Sequence, residues 1–215
     1  KVSAFIAAKS SNTIITRDEE AFRNFRKFSK KTTQDYDLSF YLDELDLSPY
    51  SEESGRIEKQ VFTDSTDRIL LWFRLSTEEE AEKYQSEIGR LLEANPDKKF
   101  VLCLSRPSSV YKRWIGVIES LHKKYPNNTQ VLDLDYNPVS LYVFMKNNPH
   151  RLKVIGPQFH IIAVVHLAKV KFFSMVYDNK VFQLLKIIGV DAEKAPAIGQ
   201  VEYASLQTFV DSNNT

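Results

Sequence analysis

The sequence predicts an α/β fold, a parallel sheet covered by helices on both faces. Between Arg68 and Gly189, short apolar and β-branched runs alternate with longer segments of helical period, the pattern of successive β-α-β units with right-handed crossovers. The clearest punctuation is Gly156-Pro157, where a run that reads as strand must stop and a helical period begins. Composition agrees: 215 residues, 43% hydrophobic and 27% charged, are those of an ordinary globular chain of one large or two small domains.

Taken in order, Ala4 to Lys9 reads as the end of a helix and Thr13 to Thr16 as a short β-branched strand. Asp18-Glu19-Glu20 supplies the acidic first turn that a helix N-terminus favours, and Phe22, Phe25 and Phe28 recur on one face of that helix. Thr32 to Phe40 is expected to hold a second strand and its exit. Asp43 to Thr66 is acidic and serine-rich, contains Pro49 and Gly55, and sustains no apolar period, so it reads as a linker.

The regular alternation follows. Arg68 to Arg74 is a strand, and Thr77 to Ala94 a helix whose start carries Thr77 with Glu80 three residues on, the capping-box spacing. Lys99 to Ser105 is a strand, Ser109 to Lys124 a helix, Gln130 to Leu134 a strand, and Pro138 to Lys146 a helix. The stretch from Leu152 through Gly189 then repeats strand, helix, strand, helix. His160 falls in the first turn of the first of these helices and Lys180 in the first turn of the second.

Lysines plus arginines number 29 and acidic residues 28, so any anion site must be built from locally converging groups rather than from global charge. Aromatic residues lie in apolar runs and not within a basic stripe, which argues against nucleic-acid binding. No apolar stretch is long enough for a transmembrane helix. The single cysteine, Cys103, sits inside Phe100-Val-Leu-Cys-Leu104 and is expected to be a buried, unreactive hydrophobe. The compartment stays open between a bacterial cytoplasm and the lumen of a secretory pathway. No H-E-x-x-H or cysteine cluster points to a metal, and Asp133 and Asp135 at one strand exit are more simply solvated. No G-x-S-x-G elbow, G-x-G-x-x-G or P-loop pattern is present either, and the six glycines are scattered. A chain opening on Lys1 is expected to be a processed or truncated piece.

Placed on these strands, the cations share an edge. Arg74 ends the first strand after the linker, Arg106 follows the second, His160 the fourth and Lys180 the fifth, while Arg17 ends the strand near the start. The carboxyl edge of a parallel sheet is where strand ends and helix N-termini converge on ligands, and their N–H groups favour anions. Each residue also has a plainer reading: His160 as a helix-start side chain in solvent, Lys180 as a surface lysine, Arg17 as half of a local pair with Asp18, and Arg106 as a partner of nearby acids. His122 and His150 lie in polar, loop-like contexts, and His166 falls on another face of its helix.

The wording of the last part resembles the polysaccharide pyruvyl transferases. Phe159-His160, Ala163, a strand ending in Tyr177-Asp178-Asn179-Lys180, and an apolar helix closed by Gly189 match that family's C-terminal signature; Ile15-Thr-Arg-Asp-Glu19 followed by Asp37-Leu-Ser-Phe40 resembles its earlier Arg-Asp-Glu turn and Asp-x-x-Phe. The family usually has Arg two residues before the His, where this chain has Gln158. The resemblance implies two Rossmann-like lobes arranged as in GT-B glycosyltransferases: residues 1–42 as the remnant of an incomplete N-terminal lobe, 43–66 as the linker, and 67–215 as the C-terminal lobe.

It also implies chemistry. The family moves the enolpyruvyl group of phosphoenolpyruvate onto hydroxyls of a glycan or polysaccharide sugar and needs neither metal nor nucleotide, phosphoenolpyruvate being a co-substrate. His160 is then the general acid/base, a role suited to a side chain that ordinarily titrates near neutrality. Arg17, Arg74 and Lys180 hold the phosphate and carboxylate. Two other classes fit the bare pattern: a GT-B glycosyltransferase using a nucleotide sugar, and a non-catalytic carbohydrate-binding or scaffolding piece.

Overall fold

The structure is a computed structural model that describes residues 14–16, 19–34, 38–73, 78–104, 112–133 and 137–213. It divides into two compact units, Lys1–Leu45 and Asp46–Thr215.

The described part of the first unit is one β-α-β turn. Strand β1 (Ile14–Thr16) pairs in parallel with β2 (Thr32–Gln34), and helix α1 (Glu19–Arg26) lies between them in sequence. Threonine side chains reinforce the two-stranded ladder, Thr16 Oγ1 donating to Thr33 O at 3.2 Å and Thr33 Oγ1 to Ile14 O at 3.4 Å. Phe22, Phe25 and Phe28 are each half-buried, as their common face requires. A 3₁₀ segment, Leu38–Glu44, follows. The expected helix end at Ala4 to Lys9 lies outside the described residues.

The second unit is α/β, with a five-stranded sheet in the order β5-β4-β3-β6-β7, parallel throughout. Its strands are β3 (Arg68–Trp72), β4 (Lys99–Leu104), β5 (Thr129–Asp133), β6 (Leu152–Ile155) and β7 (Lys171–Phe173). Between and after them run α3 (Glu78–Ala94), α4 (Lys112–Lys124), α5 (Pro138–Asn147), α6 (Phe159–Leu167), α7 (Asn179–Ile187) and α8 (Tyr203–Asp211). One face of the sheet presents Ile69, Leu71, Phe73, Phe100, Leu102 and Ile155 to buried residues of α3, α4 and α8, among them Ile88, Leu91, Ile118 and Leu206. On the other face α5 packs against α6 and α6 against α7. Helix α6 is apolar nearly all round, with Phe159, Ile162, Ala163, Val164 and Val165 buried, as befits a helix enclosed on most sides. Cys103 is buried, and burial pushes its thiol pKa well up, away from the reactive thiolate.

Two expectations are corrected. The stretch read as a linker contains a further helix, α2 (Ser51–Val61), which joins the second unit and packs on α5. Its inward positions are Ser54, Ile57 and Val61, spaced as a helix face but too weakly apolar to register as a period. Ser140 of α5 donates to Glu53, and buried Arg68 donates Nε to Val61 O at 3.0 Å and Nη1 to Thr66 O at 2.7 Å while pairing with Asp64 at 3.0 Å. The second correction is that β7 ends at Phe173, not at Tyr177. Gly156 N donates to Phe173 O, after which Pro157 has no N–H to extend the ladder. The chain then turns to its other side, where Val176 bridges Ala197.

Helix α8, which no periodic pattern marks, is held by lysines at the amino edge of the sheet. Lys153, only 8% exposed, donates Nζ to Val210 O at 2.6 Å and also to Ser212 O; Lys171 Nζ reaches Asn213 O at 2.6 Å, and Lys98 Nζ pairs with Asp211 Oδ1 at 2.6 Å. Cations belong at this negative end of a helix, where carbonyls lack intrahelical donors. Hydrogen bonds from Lys98 and Gln207 hold the Asp211 carboxyl below its ordinary pKa. A depressed carboxylate pKa contributes stability that is present above the unfolded value, about 4, and is lost as pH falls through the folded value. Amide exchange in α8 should therefore accelerate on acidification below about pH 4 relative to α3, and Asp211→Asn should flatten that difference; an unchanged acid profile in the variant would show the pair to be idle.

Candidate functional site

The carboxyl edge of the sheet is shaped by a close approach. A Cβ on Gly156 would lie 2.8 Å from Trp72 Cβ and 3.2 Å from Trp72 O, so only glycine lets β6 leave the sheet against the end of β3. Pro157 and Gln158 then lead into α6, and the Gln158 Nε2 donates to Phe73 O at 3.1 Å. Gln158 thus ties the α6 entrance to the β3 exit. It does not cap the helix: α6 has no side-chain cap at Gln158, and its first-turn N–H groups have no intrahelical acceptor.

His160 is the second residue of α6 and is exposed, its ring edge-on to Phe159 at 5.3 Å. Lys180 is the second residue of α7, which follows β7. Strands β6 and β7 are parallel neighbours paired through Ile155 and Phe173, and α6 and α7 are the helices that follow them. Arg17, Arg74 and Arg106 lie outside the described residues, as does Asp135.

The two helix starts differ electrostatically. Asp178 caps α7, its Oδ1 accepting from Val181 N at 3.1 Å, and its Oδ2 lies 3.5 Å from Lys180 Nζ. Lys180 also stands 5.7 Å from the Tyr177 ring centroid, with 42% of its side chain exposed. A carboxylate already occupies the positive end of α7, so the expectation that both helix N-termini offer donors to an anion narrows to α6. At the far end of α7, Gly189 has φ +76° and donates to Lys186 O, while Val190 N reaches Leu185 O. This is the left-handed closure that glycine allows.

Sequence reasoning overlooked Ser174, directly after β7. It is 8% exposed, and its hydroxyl has no hydrogen-bond partner among the described residues. Serine carries no periodic or motif signal there. The remaining histidines are structural or peripheral: His122 Nδ1 lies 2.9 Å from Thr129 Oγ1, bridging α4 and β5, and partial burial lowers the His166 pKa. Among the described residues no group of His, Cys, Asp and Glu could hold a metal ion, and no helix is long and apolar enough to cross a membrane.

A cavity of about 280 Å³ opens at the opposite edge, lined by Arg68, Lys98, Lys99 and Lys153 among others. Its cations are committed. Lys153 and Lys98 hold α8, Arg68 holds the chain before β3, and Lys99 Nζ donates to Asn127 O at 2.8 Å. The amino edge is thus built for cohesion, and the carboxyl edge is the better candidate site. No protein-family model matches the chain, and no curated protein matches it either.

Proposed function

We propose that this chain is a pyruvyl transferase, moving the enolpyruvyl group of phosphoenolpyruvate onto sugar hydroxyls of a glycan or polysaccharide. The observation that carries the reading is the pairing of His160 and Lys180 in the first turns of helices that follow adjacent parallel strands. Both residues belong to the Phe-His and Tyr-x-x-Lys pattern that resembles this family, and the positive end of the α6 dipole, whose start has no side-chain cap from Gln158, favours a small polyanion.

In the reaction, the phosphoenolpyruvate methylene carbon gains a proton and the adjacent carbon becomes oxocarbenium-like. A sugar hydroxyl attacks that carbon and loses its proton. The carbon–oxygen bond to phosphate breaks with its electron pair on phosphate, and a second hydroxyl closes the ketal, its proton leaving with phosphate. His160 serves as the acid and base of these transfers. Lys180, swung from Asp178, and the arginines Arg17 and Arg74 neutralise the carboxylate and the departing phosphate.

Ligand binding to the native state raises the melting temperature, which separates the reading from its rivals. Millimolar phosphoenolpyruvate should raise it and nucleotide sugars should not. Protection by nucleotide sugars alone would turn the assignment to a glycosyltransferase, and protection by free glycans alone to a binding module.

A further inference from the structure

The turn between α4 and β5 reads Asn127-Asn128-Thr129, an Asn-x-Thr tripeptide with no proline at its centre, which is the acceptor pattern for N-linked glycans. The pattern alone is common, and its weight here comes from where the fold puts the three side chains. Asn128 is buried and donates Nδ2 to Leu92 O at 2.9 Å and to Asn95 O at 3.0 Å, while its own carbonyl accepts from Phe100 N at 2.8 Å. Thr129, the first residue of β5, is buried and donates Oγ1 to Tyr125 O at 2.5 Å. Asn127 is different. Its carbonyl accepts from Lys99 Nζ at 2.8 Å, but its side chain is exposed and has no hydrogen-bond partner among the described residues. The turn is thus pinned through its neighbours, and the one amide that the pattern designates stands in solvent, where a large substituent displaces no contact.

We infer that Asn127 is an N-glycosylation site and that the chain enters a secretory lumen, where the glycan is attached before β5 joins the sheet. In the transfer, Asn127 Nδ2 attacks the anomeric carbon of an oligosaccharide carried on a lipid pyrophosphate. The carbon–oxygen bond to that pyrophosphate breaks with its electron pair on the leaving oxygen, and the amide nitrogen gives up one proton to the transferring enzyme. That enzyme reads the asparagine amide and the threonine hydroxyl of one extended tripeptide together. The folded protein cannot offer both, because Thr129 Oγ1 is held between Tyr125 O and His122 Nδ1, the latter at 2.9 Å, and Thr129 pairs with Phe100 of β4. Modification therefore belongs to the chain before folding, and the folded protein then carries the glycan on an exposed turn at the amino edge of the sheet. The inference does not depend on the transferase reading.

The test takes the protein from the cells that make it, releases N-glycans with a peptide amidase in heavy-oxygen water, and reads the peptide containing position 127 by mass spectrometry. Release should leave a heavy-oxygen aspartate at position 127, and unmodified asparagine there would overturn the site. The sequence holds a second such tripeptide, Asn213-Asn214-Thr215, whose last two residues lie outside the described residues; label at position 213 alone would also overturn the inference. Asn127→Gln, made in the same cells, should lose the corresponding glycan from its intact mass and melt as the unglycosylated wild type does, since an exposed side chain without partners is removed. An intact mass that keeps every glycan would overturn the site. The order of events has its own readout. Glycan-free protein made in bacteria should stay unmodified when supplied folded to permeabilised microsomes and should be glycosylated at Asn127 when supplied unfolded; equal modification of both forms would overturn attachment before folding, and modification of neither would overturn the acceptor role.

Discussion

Trp72→Ala is expected to lower the stability of the second unit by about 3–5 kcal/mol, the range for truncating a large buried aromatic side chain. Trp72 is 1% exposed and ends the central strand of the sheet. Its Cβ and carbonyl, the atoms that abut Gly156, persist in the alanine variant, so the loss reports burial of the indole alone. In a unit of this size the loss corresponds to a fall of roughly 6–20 °C in melting temperature. A urea titration should show the midpoint displaced with the slope unchanged. A shift worth less than about 1 kcal/mol would mean that the β3 and β6 exits close over the cavity, and that the α6 entrance is not held by this packing.

That rigidity bears on what could be read in advance. The strands of the second unit were legible because each is a short apolar run bounded by Gly, Pro or polar turns, and Gly156-Pro157 marks the α6 entrance in plain sequence. The placement of His160 and Lys180 in first turns follows from that punctuation alone. Three features were not legible. The Ser51–Val61 helix buries only a few small or aliphatic residues and is secured by Ser140 of α5, a contact distant in sequence. Helix α8 depends on Lys153, which in sequence is indistinguishable from a surface lysine and in the fold is a buried cap. Ser174, buried just after β7, carries no periodic or motif signal. For both helices the deciding partner lies far along the chain, where local propensity and periodicity carry no information. The opposite holds for Asp178: an Asp before a helical period is a cap signal, and reading it would have shown that α7 offers its positive end to its own carboxylate.

His160→Ala and Lys180→Ala are expected to fail in different ways. If His160 moves the proton, its loss should cut phosphate release from phosphoenolpyruvate, with a glycan acceptor, by about 10²- to 10⁴-fold, the contribution of a general acid/base, with little change in donor affinity. The side chain is exposed, and its ring contact among the described residues is edge-on to Phe159, so truncation should leave the melting temperature nearly unchanged. Lys180 is a permanent cation whose present partner is Asp178 at 3.5 Å. It can release that weakly held, solvent-exposed pair at little cost, and its loss should mainly weaken donor binding. Calorimetry with phosphoenolpyruvate and single-turnover phosphate release separate the two effects. Unchanged turnover in His160→Ala would remove it from the mechanism. Unchanged donor affinity in Lys180→Ala would leave Lys180 as a surface partner of the α7 cap, and the anion would then depend on Arg17, Arg74 and the α6 N-terminus.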